Sequence, residues 1–195
     1  MKRLSLYLFL ILFTLQTPSQ ADDISDFKIE GMSVGDSLLD FVSEEKIISA
    51  IANQQYPNDK FTIYVVGEFL ELKDYEAVFA TVKKNDNNYI VTSISGVIYY
   101  EELDDCLKMK TSIQNEIEKL INYDDMEEVN YSSQQDKTGN SKVYGAQYYL
   151  KPFPSVEAIN INCHHYTLKT GFQRNLKVSV NTEEFSYFLI NEAYK

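Results

Sequence analysis

The sequence predicts an α+β protein, an antiparallel sheet with its helices packed mainly on one face. Segments rich in β-branched and aromatic residues are joined by connections too short for parallel crossovers. A long mid-chain stretch repeats apolar residues at helical spacing. The hydrophobic share is 44%, with fifteen Tyr and eleven Phe, enough to build a core.

The first 21 residues read as an export signal: Lys2 and Arg3, an apolar run from Leu4 to Leu15, then Pro18 and a Ser19-Gln20-Ala21 ending. A spanning helix needs about 20 apolar residues, so the run is too short to remain as an anchor and cleavage is expected before Asp22. The expected location is periplasmic or secreted, without a stable membrane anchor after cleavage. Removing 21 of 195 residues leaves 174, enough for a single domain over 22–195 or two lobes meeting at about 124–140.

Two short N-terminal helices come first. Ser33 has the character of an N-cap with Asp36 reaching back, and Val34, Leu38, Phe41 and Val42 share a face. Ser43 then precedes Glu44 and Glu45, acids suited to a helix N-terminus, with Ile47, Ile48 and Ile51 as the stripe before Pro57. Phe61–Val66 and Tyr75–Val82 read as strands. The cluster Asn85-Asp86-Asn87-Asn88 is a turn, and Tyr89–Tyr100 returns to make the clearest hairpin.

A central helix is expected over about 101–122, because Leu103, Cys106, Met109 or Lys110, Ile113, Ile117, Leu120 and Ile121 recur three and four residues apart. From Asp124 to Asn140 the chain is polar, which marks a loop or a seam, with Val129 and Tyr131 as the material for a short strand. Strands follow at Lys142–Leu150, Val156–Leu168 and Leu176–Val180. Asn181 and Glu184 then form a capping-box pair opening a last helix over about 182–193.

Composition excludes some partners. Without the signal, 16 basic residues face 29 acidic ones, a balance of −13. Nucleic acid is excluded as a partner, since a polyanion binder gains affinity through Lys and Arg. The simplest role for the acidity is a solvated surface that keeps the protein dispersed. The chain has two cysteines, Cys106 and Cys163. In an oxidising compartment such a pair is expected to bridge, and neither residue lies at the cleavage point, as lipid attachment would demand.

The stretch Ile29-x-Gly31-Met32-Ser33, followed by two short helices and a three-stranded meander, resembles the SmpA/OmlA-type envelope proteins. That group shares a helix-helix-sheet module with the β-lactamase inhibitor proteins. The resemblance covers about Phe27 to Tyr100 and implies a module that binds other proteins. Phe41-Val42-Ser43 stands where the family has Gly-x-Pro, and the lipidation cysteine is absent. The stretch Phe27–Phe41 is also similar to openings of uncharacterised exported bacterial proteins, which implies no function.

Cys163, His164 and His165 invite a cysteine-nucleophile reading. In a strand, however, Ile159, Ile161, Cys163 and His165 share one face and Asn160, Asn162 and His164 the other, with same-side neighbours about 7 Å apart. Cys163 therefore continues an apolar row, and adjacent histidines diverge too far to bind one metal ion. Asp104-Asp105 and Asp124-Asp125 lack the spacing of a calcium loop. No phosphate loop, serine elbow or zinc-helix spacing is present, so no cofactor and no metal is assigned.

The tyrosines remain. Tyr99-Tyr100, Tyr144, Tyr148-Tyr149 and Tyr166 lie on strands where one of each adjacent pair must face away from the core. With Asn160, Asn162, His164 and Gln147 they offer a recognition surface for a protein or small ligand, the candidate set being Tyr144, Tyr148, Asn160, Asn162, His164 and Tyr166. The alternative is that these rings cover the sheet beneath a helix. The reading reached is an exported, non-enzymatic binding module of the cell envelope. A small hydrolase using Cys163 or His165, or an acidic protein binding divalent cations, are the other readings.

Overall fold

A computed structural model describes residues 23–195; the predicted export signal at 1–21 lies outside the described residues. Seven antiparallel strands form one continuous sheet: β1 (Phe61–Val65), β2 (Ala77–Lys83), β3 (Val91–Tyr99), β4 (Asp125–Ser132), β5 (Lys142–Tyr149), β6 (Ala158–His165) and β7 (Asn175–Asn181). Their spatial order is β1-β2-β3-β7-β6-β5-β4. Two meanders, β1 to β3 and β4 to β7, thus meet where β7 pairs with β3. The α+β class is as the sequence predicts.

Among the described residues three α-helices accompany the sheet: α1 (Glu44–Ser49), α2 (Leu103–Leu120) and α3 (Glu183–Asn191). Helix α2 packs against β5, β6 and β7. Cys106, Lys110, Gln114 and Ile117 form its buried stripe, three to four residues apart. The stripe takes Lys110 in preference to Met109 and leaves Leu120 exposed. Cys106 is bonded to Cys163 on β6, with Cα atoms 6.0 Å apart, and fastens the helix to the sheet.

The main core lies on this side of the sheet. Val78, Ala80, Ile94, Ile159, Ile161, Leu176 and Val180 are buried there. Over β1 to β3 they are covered by the N-terminal segment, which contributes Ile24, Ile29, Met32, Val34, Leu38, Val42 and Ile47. Its backbone is stitched on through Gly35 N–H to Val91 C=O (2.8 Å) and Val65 N–H to Ala50 C=O (2.7 Å). A smaller cluster of Phe61, Phe185, Phe188 and Ala193 seats α3 on the opposite side of the sheet, at the β1 edge.

Three local expectations are corrected. The first helix is only a 3-10 turn, Leu38–Asp40, capped by the Ser37 hydroxyl. Ser33 is no cap: its hydroxyl donates to the Ser25 and Phe27 carbonyls, and its N–H donates to Asp36. The last helix is capped by Thr182, which accepts from Phe185 N–H, so Asn181 and Glu184 form no capping box; Asn181 Oδ1 instead accepts from the Ser93 hydroxyl.

The third correction concerns 124–140. Asp125–Ser132 is a full edge strand, paired with β5 across eight residues. The turn that follows is organised by Asp136, whose carboxylate accepts from the N–H and hydroxyl of both Thr138 and Ser141.

Candidate functional site

Strands β6 and β7 lie in the middle of the sheet, and their alternation is sharply divided. One side carries Ile159, Ile161, Cys163, Leu176, Val178 and Val180, all buried in the core. The other carries Asn160, Asn162 and His164 from β6, and Asn175, Lys177, Ser179 and Asn181 from β7. Register places Asn160 opposite Ser179 and Asn162 opposite Lys177. Across β5, Gln147 stands opposite Asn160 and Gly145 opposite Asn162. A central pair of strands is thus half polar, which a sheet tolerates only where those groups find partners.

This polar side is largely covered, with Asn160, Ser179 and Asn181 buried. Tyr194 follows α3, and its ring packs on Tyr56, which itself packs on Phe185 and Phe188 near β1. Burial raises the phenols of Tyr131, on the opposite edge strand β4, and of Tyr166, just beyond β6; the Tyr194 phenol lies close enough to both to add to the effect. The tail after α3 therefore lies over this side of the sheet and makes it a covered trough. The residues facing the trough are mostly small or polar: Ser93, Ser95, Gly145, Ser179 and Asn181, with Val97 and Val143 among them.

Part of the trough's polar lining is internally satisfied. Ser93 donates to Asn181 Oδ1 at 2.6 Å, and Ser95 donates to Ser179 Oγ at 3.0 Å. The rest is not. Asn160 Oδ1, Asn162 Oδ1 and His164 Nε2 are buried with no hydrogen-bond partner among the described residues. Asn160 is only 8% exposed. The Lys177 ammonium has neither a carboxylate nor a hydrogen-bond acceptor among the described residues, and burial alone lowers its pKa. Burial also pushes the His164 imidazole down to about 3, with the Lys177 charge adding to the shift, so His164 is neutral at physiological pH.

His164 stacks on Tyr166 at 5.7 Å, and the Tyr166 hydroxyl donates to Gln135 Oε1 at 2.6 Å. These contacts position the ring at the end of the row. Gly145 provides the space beneath Asn162, since a Cβ there would overlap the Asn162 carboxamide.

The six residues expected to form a recognition surface do not lie together. Asn160, Asn162 and His164 line the trough, and Tyr166 stacks at its end. Tyr144 and Tyr148 stand on the opposite face. Tyr148 is completely buried with its hydroxyl donating to Glu118, and Tyr144 packs against the same core. The covering reading holds for these two rings, because α2 occupies their side of the sheet. Lys177 is the residue that sequence reasoning missed.

The competing chemistry finds less support. Cys163 is held in the disulfide and buried, so it offers no thiol for nucleophilic attack. His165 lies on the helix side, stacked with Tyr100 at 6.3 Å. Among the described residues no group of three or more His, Cys, Asp or Glu side chains converges to hold a metal ion. No described helix is long and apolar enough to cross a membrane.

Two concavities are present elsewhere. A groove of about 640 Å³ runs between the β5–β6 turn and α3, lined by Phe153, Val156, Tyr187 and Ile190 among others. A cleft of about 200 Å³ lies at the other end of the sheet, beside Tyr99, Tyr166 and Arg174. Among the described residues, the groove gathers no unpartnered buried polar group, whereas the cleft is lined by Tyr100, whose hydroxyl is buried without a hydrogen-bond partner. Compared with known proteins, the chain matches no family model, no curated protein and no solved structure.

Proposed function

We propose that the protein is an exported binding module that takes a small ligand into the polar side of its sheet. The observation that carries this reading is the row Asn160 Oδ1, Asn162 Oδ1 and His164 Nε2, buried atoms with no hydrogen-bond partner among the described residues, set beside Lys177, which has no acid there either. A buried polar atom left unpaired costs about 1–3 kcal/mol. Several in one row represent a cost that a folding scaffold has no reason to carry, whereas a ligand or the water it displaces would satisfy them.

The disulfide supports the export half of the reading, since such bonds persist in oxidising compartments. The sheet's rigidity supports the binding half. Polar groups fixed on central strands are positioned before any ligand arrives, which lowers the ordering cost of binding.

Differential scanning fluorimetry against small carboxylates, phosphate, neutral sugars and calcium, at matched ionic strength, tests the reading. One class is expected to raise the melting temperature of the unmodified protein and to lose that effect in Asn160→Leu. If no class shifts it, or if the shift survives Asn160→Leu unchanged, the trough is not the binding site.

A further inference from the structure

We infer that the cleft at the end of the sheet beside Tyr99 holds a neutral pyranose ring, free or at the end of a glycan, stacked on aromatic side chains and hydrogen-bonded by Glu101, Gln173 and Arg174. This site is separate from the trough, and the inference does not rest on that reading.

Two similar triplets of the sequence meet here. Tyr99-Tyr100-Glu101 starts on the last residue of β3, and Phe172-Gln173-Arg174 immediately precedes β7; each runs from aromatic to polar. The pairing of β3 with β7 extends to Tyr99 opposite Asn175, and Tyr100 N–H then donates to Arg174 C=O at 3.3 Å. All six residues line one cleft of about 200 Å³. Drug-sized ligands occupy pockets of roughly 300–1,000 Å³, so this space suits a single ring.

The aromatic part of the lining offers ring surfaces from Tyr99, Tyr100 and Phe172. The C–H face of a pyranose packs on such surfaces, drawn by the electron-rich aromatic face. Tyr99 is exposed, so its ring is available to a ligand. The Tyr100 hydroxyl is buried without a hydrogen-bond partner among the described residues. A phenol both donates and accepts, and a sugar hydroxyl can meet it in either sense.

The polar part is planar and held in place. Arg174 Nε donates to Tyr166 C=O at 3.2 Å and Nη1 donates to Glu101 C=O at 2.8 Å, which fixes the guanidinium before any ligand arrives. Its Nη2 has no partner among the described residues. Guanidinium, carboxylate and carboxamide each present two polar atoms in one plane, a pattern that spans two neighbouring hydroxyls. Charge then selects against ions: Glu101 and Arg174 are the charged residues of the lining, and they offset each other. An anion would meet the repulsion of Glu101 and a cation that of Arg174, whereas a neutral polyol meets neither.

Saturation-transfer NMR on the unmodified protein tests the assignment. The probes are the methyl pyranosides of glucose, galactose, mannose and N-acetylglucosamine; the controls are sorbitol, a polyol without a ring face, and benzoate, a ring with a charge. At least one pyranoside is expected to give a saturable signal on its ring C–H protons, well above both controls. That signal is expected to fall about tenfold in Tyr99→Ala, as loss of one ring contact predicts, and to persist in Asn160→Leu. A stronger response to the matching disaccharide than to the monosaccharide identifies a glycan end as the source, and an equal response a free sugar. No saturable signal from any pyranoside, or a control equal to the best of them, overturns the sugar assignment without touching the trough. A signal that survives Tyr99→Ala, or that vanishes in Asn160→Leu, overturns the cleft as the sugar's site. The comparison with sorbitol and benzoate needs no variant, so it decides the matter even if Tyr99→Ala does not fold.

Discussion

Asn162 on β6 and Lys177 on β7 stand opposite each other across adjacent central strands, on the polar side of the sheet, and among the described residues Asn162 Oδ1 has no hydrogen-bond partner and Lys177 no acid. The same two strands bury an unbroken apolar row on their other side. That division, a finished core on one face and unmet polar groups on the other, is the basis for reading the protein as a receptor for a small molecule.

The contact between Gly145 and Asn162 gives the first prediction. A Cβ at position 145 would overlap the Asn162 carboxamide, so Gly145→Ala must displace it. Overpacking of this kind costs about 1–3 kcal/mol. Chemical denaturation should show that loss, and the double variant with Asn162→Ala should recover much of it. Additive losses would mean that the two residues do not compete for one space.

The disulfide closes a separation of 57 residues. On the chain-entropy account such a closure contributes about 4 kcal/mol. Reduction, or the Cys106→Ala/Cys163→Ala pair, should lower the denaturation midpoint accordingly. Non-reducing intact mass should show the protein lighter by two hydrogens than its reduced form; rapid alkylation of an untreated thiol would contradict the pairing and revive the nucleophile.

Lys110 is almost fully buried on α2, while Glu128 on the edge strand is 58% exposed at its side chain. Burial opposes ionisation of Glu128, but hydrogen bonds from Lys110 and Gln114 outweigh it and hold the carboxyl below its ordinary value. Glu128→Ala leaves a buried ammonium with only Gln114 and should cost about 1–2 kcal/mol, less than a fully buried pair because solvent reaches Glu128. Lys110→Met should cost less than Glu128→Ala. The reverse order would show that the ammonium is not desolvated.

His164 sets a pH dependence. Its folded-state pKa lies at about 3 against an ordinary 6.5, so the unfolded chain binds the proton more readily. The neutral ring contributes stability that is complete above about pH 6.5 and is lost progressively as pH falls toward the folded value. Proton NMR should show the His164 ring unchanged from about pH 8 down to pH 5. A midpoint near 6.5 would place the ring in open water.

Much of the fold was legible in the residues. The Asn85–Asn88 turn between two β-branched runs gave the β2–β3 hairpin, and the spacing of Cys106, Ile113 and Ile117 gave α2. Strand β4 was hard to see because an exposed edge strand needs no apolar alternation: Asp125, Glu127, Glu128 and Asn130 are all exposed. Tyr144 and Tyr148 were grouped with Asn160 because adjacent tyrosines fix only that one faces outward, and β5's pairing with β6 decides which. Lys177 escaped notice because a lysine on a strand ordinarily marks the solvent side. Its signal was joint: polar residues at every second position of two neighbouring strands, with a glycine inside a third.

The most direct measurement is a set of nitrogen–proton correlation spectra following the side-chain amides of Asn160 and Asn162 while carboxylates, phosphate, sugars and calcium are added in turn. The reading of the trough as a binding site requires saturable shifts at those amides and at polar-side positions of β6 and β7 with at least one class, while Cys106 and Tyr148 stay unmoved. Shifts confined to the groove between α3 and the β5–β6 turn, or no saturable shift with any class, would contradict it.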